Sequence, residues 1–409
     1  MRILYLSQYF PPEVGATQTR AYEMAHYLVS AGHRVTMLTE VPNHPSGIIP
    51  PEYRGRLYDR ADLNGIDVLR VWVKASPQKR FTTRMAFYLS YMVNATLAGL
   101  LLARGHYDLL YATSPPLFVG GAALALSWLR RIPLVFEVRD LWPESAVALG
   151  ELKNPRFIRW ATRLEEGCYA RARRIVVVTE GIRQRLAARG YGDKLALIPN
   201  GANTDLFRPD PDGAAALRAR LGLEGRFVVL YAGVHGLAQG LETVLEAARR
   251  LQRVPQVHFL FVGEGPCKAD LLTLKDRLGL TNVTLLPECP RSEMPAFFSA
   301  ADVALVPLRR LELFQGAVPS KMFDAWACAC PVLLSIGGEA RAILEQAGGG
   351  LFVEPEDPAA LAAAINQLQA HPEPLRRWGQ AGRDFTVAHY SRQSQAARLE
   401  ALLSTIGDQ

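Results

Sequence analysis

Short apolar runs rich in β-branched residues alternate along this chain with longer stretches of helical period, the pattern of parallel strands joined by helical crossovers. Arg2–Ser7 reads as the first strand, Arg20–Ala31 as a helix closed by Gly32, and Arg34–Thr39 as the second strand. Val68–Val73, Asp108–Ala112, Leu134–Val138 and Ile175–Thr179 continue the series. The pattern breaks at Ile198-Pro199-Asn200-Gly201, and the turn formers through Phe207-Arg208-Pro209-Asp210-Pro211 mark a linker. It restarts with strands at Phe227–Tyr231, Val257–Val262, Val283–Leu286, Val303–Val306 and Pro331–Ser335, and a helix at Leu241–Leu251. A last helix, Arg392–Ile406, follows a cap site at Tyr390-Ser391 and either closes the second domain or crosses back onto the first.

The expected fold class is therefore α/β, with two doubly wound domains at 1–203 and 204–385 and a terminal helical segment at 386–409. A length of 409 residues agrees, because it exceeds what one hydrophobic core organises.

Met85–Ala103 is 19 uncharged residues between Arg84 and Arg104, close to membrane-spanning length. It lies between two expected strands, where a parallel sheet needs a crossover helix, and it carries Ser90, Asn94 and Thr96. A buried crossover, a helix with one face on a membrane and a true span all remain open. Lys79, Arg80, Phe81 and Arg84 just before it suit a headgroup region, against the plainer reading of a solvated charge run.

Composition and charge narrow the class. With 49% hydrophobic and 21% charged residues the chain can bury a core, which excludes disorder. The opening apolar run is only strand length before Gln8 and Pro11-Pro12, so no cleavable signal is read and a cytoplasmic location is expected. Five cysteines without paired spacing are read as reduced thiols rather than zinc ligands. Residues 1–205 hold 26 Lys+Arg against 17 Asp+Glu, a net +9, whereas the remainder holds 20 against 22, a net −2. The first half should seek anions. Its basic residues are not interleaved with stacking aromatics, so phosphorylated lipid or an anionic membrane face is expected rather than nucleic acid.

In such sheets ligands bind beyond the carboxyl ends of the strands. The first such loop brings Gly15 and Ala16 to a helix start, where main-chain N–H groups can meet a phosphate, although a simple turn explains it as well. The run Glu137-Val138-Arg139-Asp140 puts carboxylates and a guanidinium at a strand end, with Asp140 the first candidate to act on an acceptor hydroxyl. In the second domain Gly233, His235 and Gln239 lie in a glycine-rich loop suited to a diphosphate, and Gly263-Glu264-Gly265 suits close backbone approach to a ring or phosphate. The strongest constellation is Gly316-Ala317-Val318-Pro319-Ser320-Lys321 leading to Asp324. Lys321 and Asp324 share a helix face, so the ammonium can offset diphosphate charge while the carboxylate takes ribose hydroxyls. Arg309 near the Val303–Val306 strand end is a further candidate for the diphosphate.

At these residues the chain resembles the large retaining glycosyltransferase family numbered four. The motifs GATQTRAYEMAHYL, RDLWPES, IPNGANTDLF, GLAQGLETVLEAA and AVPSKMFDAWA resemble its bacterial O-antigen and capsule subgroup over nearly the whole chain. The resemblance implies two Rossmann-like domains facing across a cleft, with a UDP-sugar held by the second. Its base would lie near Glu264 and Leu286-Pro287, its ribose on Asp324, and its diphosphate near Gly15, Lys321 and the 315–320 loop. It implies no metal and no cofactor besides the UDP-sugar substrate. It also implies a polyprenyl-diphosphate-linked saccharide as acceptor and peripheral contact with the inner membrane face. Departures are visible: Val234 and Gln239 stand where the family commonly has Arg and Lys, Gly316 stands at the first of two usual glutamates, and Arg139 stands where many members carry His. Two other readings fit the same fold, a nucleotide-sugar 2-epimerase-like isomerase and a silent nucleotide-sugar-binding scaffold.

Overall fold

The computed structural model describes residues 1–13, 15–44, 46–78 and 80–407. The chain divides into two compact units, Met1–Pro199 with Gln393–Gln409, and Asn200–Arg392.

The first unit carries eight strands: β1 (Arg2–Leu6), β2 (Arg34–Glu40), β3 (Tyr58–Leu63), β4 (Ile66–Val71), β5 (Leu109–Ser114), β6 (Leu134–Val138), β7 (Arg174–Val177) and β8 (Leu195–Leu197). Their order across the sheet is β3-β4-β2-β1-β5-β6-β7-β8, parallel except for β3. Six helices connect them: α1 (Ala16–Ser30), α2 (Phe81–Leu101), α3 (Phe118–Leu129), α4 (Glu144–Ala148), α5 (Pro155–Arg171) and α6 (Glu180–Leu186). Strand residues alternate between two cores. Leu4 and Leu6 join one apolar cluster with Leu110, Ala112 and Phe136, while Ile3 and Tyr5 join another with Leu109, Tyr111 and Val135. Burial on both faces is what makes these strands read as continuous apolar runs.

The second unit adds α7 (Pro211–Leu221), β9 (Phe227–Ala232), α8 (Leu241–Arg250), β10 (Val257–Val262), α9 (Lys268–Arg277), β11 (Val283–Leu286), α10 (Met294–Ala300), β12 (Val303–Pro307), α11 (Ser320–Ala327), β13 (Val332–Ser335), α12 (Gly338–Ala347), β14 (Gly350–Phe352), α13 (Pro358–Ala370) and α14 (Glu373–His389). Its all-parallel order is β11-β10-β9-β12-β13-β14, so the winding direction reverses between β9 and β12. The equivalent reversal in the first unit lies between β1 and β5. The loops after these four strands are where such a fold places ligands.

The terminal helix α15 (Arg392–Gly407) sends Ala396, Leu399, Leu403 and Ile406 into the first unit's core beside Tyr5 and Leu28. Of the two destinations open from sequence, this is the first domain.

The apolar 85–103 segment forms α2, starting at Phe81. It is the crossover between β4 and β5, with Tyr91, Ala95, Ala98 and Gly99 turned inward. No described helix is long and apolar enough to cross a membrane.

Three strands were not expected. β3 pairs antiparallel with β4 through Asn64-Gly65, both at positive φ, the two-residue turn that suits a twisted hairpin. β8 and β14 are three-residue edge strands, too short for a periodic signal. All five cysteines are free thiols.

Candidate functional site

In the second unit, β9 runs into Gly233 and β10 into Gly263, and the two loops lie directly on one another. Gly233 N–H donates to the Val262 carbonyl (2.9 Å), His235 N–H to Glu264 (2.8 Å), and Cys267 N–H to His235 (2.9 Å). A Cβ on Gly263, at φ 145°, would overlap the Gly233 carbonyl oxygen. Sequence reasoning gave these glycines to ligand approach, whereas the structure uses Gly263 for loop-on-loop contact. Gly233, at φ 133°, keeps space for Lys321, whose Nζ would stand 2.8 Å from a Cβ there. Gly263→Ala should therefore lower the melting temperature by several degrees, because strain of this kind costs on the order of 1–3 kcal/mol. Gly192→Ala, which meets nothing within 4 Å, is the neutral comparison in paired melting measurements.

Lys321 sits in the first turn of α11, its Nζ 4.0 Å from the centre of the Tyr231 ring. Burial pulls its ammonium down to about 7, working against the nearby Asp324 carboxylate, which favours the charge. An ammonium held this way is short of anionic partners and ready to take one. Ser320 and Asp324 share α11 with it, and they and the preceding Gly316, Ala317 and Val318 are half-buried. The loop carrying Gly316 is fixed from behind, since the Gln315 carbonyl fills the space where Gly338 would carry a Cβ.

His235 is fully buried and neutral: burial, helped by Lys268 and Lys321, pulls it down to about 4. Gln239 closes the loop, its Oε1 accepting from Gly236 N–H at 3.1 Å. Arg309 does not stand free for a diphosphate. It pairs with Glu242 and Glu356 and donates to the Leu237 carbonyl at 2.7 Å, so it braces the 237–239 turn. Glu264 is likewise held, by Lys268, which also donates to the carbonyls of Gly263 (2.8 Å) and Leu286 (2.9 Å). Lys268 thus ties together the expected base-binding residues Glu264 and Leu286, with Pro287 exposed alongside. Sequence reasoning missed it, although its spacing of four from Glu264 was a signal.

In the first unit Gly15 opens α1, its carbonyl accepting from Thr19 N–H at 3.0 Å, and Ala16 is exposed in the first turn. Glu137 was expected to act on substrate. Instead it is fully buried, with one oxygen taken by Arg20 (2.9 and 2.7 Å) and the other by the Thr113 hydroxyl (2.6 Å). Burial alone would raise its pKa, but Arg20 and Arg139 overcome that and hold it at about 2. Arg20 also donates to the carbonyls of Ile198 and Pro199, both at 3.0 Å, so the pair fixes the end of the unit. This role for Glu137 is a correction. Arg139 is largely buried, donating to Thr17 (3.1 Å) and the Pro115 carbonyl (3.3 Å). Asp140 lies at the mouth, partly exposed, accepting from Ser145 at 2.8 Å, and burial pushes its carboxyl upward.

Of the basic group before α2, Lys79 lies outside the described residues. Arg80 and Phe81 are exposed, and Arg84 pairs with Glu151 at 3.3 Å.

Both units match one class of enzyme. Residues 15–201 match the family described as "Glycosyl transferase 4-like domain", and residues 214–385 match "Glycosyl transferases group 1". The chain is 32% identical over 295 residues to D-inositol 3-phosphate glycosyltransferase 1 of Catenulispora acidiphila, covering 68% of each protein. It is 25% identical over 390 residues to the glycosyl transferase WcaI of Escherichia coli K12, whose name places it in colanic acid biosynthesis, covering 91% of this chain and 93% of that one. Among solved structures, Anabaena HepE in complex with UDP-glucose shares the fold, with a TM-score of 0.75 at 17% identity over 99% of this chain and 100% of that one. The fold is the B-type glycosyltransferase fold. The chain belongs to the family 4 glycosyltransferases.

Proposed function

We propose that the enzyme transfers a sugar, an N-acetylated or deoxy hexosamine, from a UDP carrier to a polyprenyl-diphosphate-linked saccharide, with retention at the anomeric carbon and without a metal. The product would belong to cell-surface polysaccharide, as the name of the E. coli relative suggests for that protein. The UDP-glucose complex of the Anabaena protein supports a uridine donor. The observation that carries the reading is Lys321, a partly buried ammonium at the start of α11 beside the Gly233 loop.

In the proposed chemistry the bond between the sugar's anomeric carbon and the diphosphate breaks, and the acceptor oxygen bonds to that carbon on the same face. Lys321 and the first-turn N–H groups of α11 take up the charge growing on the diphosphate, which is where most of the acceleration must arise. Asp324 receives the ribose hydroxyls. The acceptor's hydroxyl proton passes to Asp140, whose raised pKa makes it a better base than an ordinary surface carboxylate.

The lipid-linked acceptor is supported by the outer face of α2. Leu89, Val93, Leu97 and Leu101 repeat at four-residue spacing and are 40%, 50%, 49% and 70% exposed, an apolar stripe on a helix bounded by exposed Arg80, Arg84 and Arg104. An apolar helix face with basic ends suits the inner membrane surface. At its start the exposed rings of Phe81 and Trp160 flank that of Phe157, with centroids 5.5 and 5.6 Å apart, an apolar surface of the kind an isoprenoid can follow.

Calorimetric titration with UDP, GDP, ADP and dTDP, with and without a chelator, tests the donor. Selective UDP binding that the chelator leaves unchanged is expected. Absence of UDP binding, or binding that the chelator abolishes, would refute the donor assignment.

A further inference from the structure

Tyr231, the penultimate residue of β9, is 1% exposed. A phenol buried so completely needs a partner for its hydroxyl. Tyr231 finds it in the turn that follows, donating to the Val234 carbonyl at 2.6 Å. The rings of Phe261 and His235 pack against it, with centroids 5.9 and 5.7 Å away. The side chain is therefore held at its tip by the loop and along its sides by two neighbours.

One face of this fixed ring is taken by Lys321 of α11, whose Nζ stands 4.0 Å from its centre. Among the described residues no hydrogen bond or ion pair holds that Nζ. Burial pulls the ammonium down to about 7, against Asp324 on the same helix, so the negative π face of Tyr231 is its close-range support. The contact also sets direction. The same Nζ lies 2.8 Å from the point where Gly233 would carry a Cβ, so the ring aims the ammonium at the bare backbone of the loop. Tyr231 thus touches both halves of the proposed diphosphate site, the loop through its hydroxyl and the ammonium through its ring.

We propose that Tyr231 is a positioning residue of the donor site: its ring face holds Lys321 charged and aimed at the Gly233 loop before nucleotide arrives, and its hydroxyl keeps that ring in place. The inference rests on Lys321 receiving the diphosphate, as proposed above. Removing the ring should make the ammonium easier to discharge, an effect that depends on pH, whereas a general loosening of the site does not. The groups facing Lys321 are Asp324 on α11, Tyr231 from β9 and His235 in the loop after it, with Lys268 and Glu264 beyond His235. Burial raises the Tyr231 hydroxyl, and burial helped by Lys268 and Lys321 holds His235 at about 4, so neither changes charge between about pH 6 and pH 9.

The test is calorimetric titration of the full-length wild type, Tyr231→Phe, Tyr231→Leu and Lys321→Met with UDP at about pH 6 and pH 8. Tyr231→Phe keeps the ring and loses only the hydroxyl, so its affinity should fall by a similar factor, about fivefold, at both values. Tyr231→Leu should bind within about twofold of Tyr231→Phe at the lower pH, where at least half the protein still carries the charge, and about tenfold more weakly at the higher. A tenfold gap corresponds to about 1.4 kcal/mol, in the range of a desolvated cation–π contact. The nucleotide's own titration, near about pH 6, is common to all variants and cancels in these ratios. Equal affinities of Tyr231→Leu and Tyr231→Phe at the higher pH would overturn the proposal, as would a deficit of the same size at both, which marks a packing role only. Lysine ε-13C NMR of the nucleotide-free proteins gives a second reading, with the Lys321 signal assigned by its loss in Lys321→Met. Its titration midpoint should lie about one pH unit lower in Tyr231→Leu than in Tyr231→Phe, and an unchanged midpoint overturns the proposal whatever UDP does. Failure of UDP to bind wild type, or full affinity in Lys321→Met, would refute the donor assignment instead and leave that midpoint to decide the role of Tyr231.

Discussion

Lys321→Met is expected to bind UDP at least about 100-fold more weakly than wild type and yet to melt at a higher temperature when no nucleotide is present. On the proposed donor site, the loss of affinity follows from removing the ammonium assigned to the diphosphate, since truncating one member of a close charge pair costs about 2–5 kcal/mol. The gain in stability follows from the other side of the same geometry. In the free protein burial beside Tyr231 holds the ammonium at about 7, well below an ordinary lysine. Between that value and about 10 the unfolded chain binds more protons than the folded one, so wild-type stability rises as pH rises through this window. Methionine fills the space without a charge. The advantage of the variant should thus be largest near pH 7, on the order of 1–2 kcal/mol or a few degrees, and shrink toward pH 10. The same linkage predicts that wild-type UDP binding takes up a proton above pH 7. Titration in buffers of different ionisation enthalpy measures that uptake, and Lys321→Met should abolish it. An unchanged UDP affinity in the variant would remove Lys321 from the donor site.

Arg20→Ala is expected to cost about 3–5 kcal/mol, because it leaves Glu137 buried with its principal countercharge gone. In a domain of this size that corresponds to a fall of roughly 10 °C in the melting of the first unit. The paired variant Arg20→Met with Glu137→Met should recover most of the loss, since neither charge is then stranded. Acid should act on the same pair. Glu137 is held at about 2, so its contribution is present above the usual glutamate range near 4.3 and disappears as pH falls from there toward 2. Thermal melts between pH 2 and 7 on wild type and the double variant would show it, with the double variant less sensitive to acid. If Arg20→Ala melts like wild type, the pair does not hold the unit together.

Strands made of continuous apolar runs were legible from sequence with good boundaries. Leu134–Val138 and Val257–Val262, largely buried, and the edge strand Val283–Leu286 form over the residues expected, because apolar runs bounded by turn formers have few other ways to fold. β3 was missed because it is an exposed edge strand, Tyr58-Asp59-Arg60-Ala61-Asp62-Leu63, in which polarity masks the alternation. The Asn64-Gly65 turn after it was the signal that could have recovered it. The start of α1 was placed four residues late, since Ala16-Thr17-Gln18-Thr19 has little apolar period of its own and the helix begins where Gly15 ends the loop.

The candidate site divided differently. Residues close in sequence, such as Lys321 and Asp324, could be placed on one helix face from spacing alone. Partnerships across the fold could not. Arg20 and Glu137 lie 117 positions apart, and nothing local to either distinguishes a buried ion pair from two surface charges. Arg309 was misassigned for the same reason, because Glu242 reaches its loop from α8. Glycines misled in a further way. Their presence marks close approach, but only the structure shows that at Gly263 the approaching atom belongs to the protein's own Gly233.

The return of α15 to the first unit has an architectural consequence. Asn200–Arg392 is an insertion within another domain, and its two ends are clasped together. Ala202 bridges Ser391, with Ala202 N–H donating to the Tyr390 carbonyl at 3.0 Å and Arg392 N–H to the Ala202 carbonyl at 2.7 Å. The whole second domain is therefore a cassette with one socket. Exchanging it between relatives requires two adjoining splice points rather than two distant ones, and the splice leaves every strand of both sheets intact.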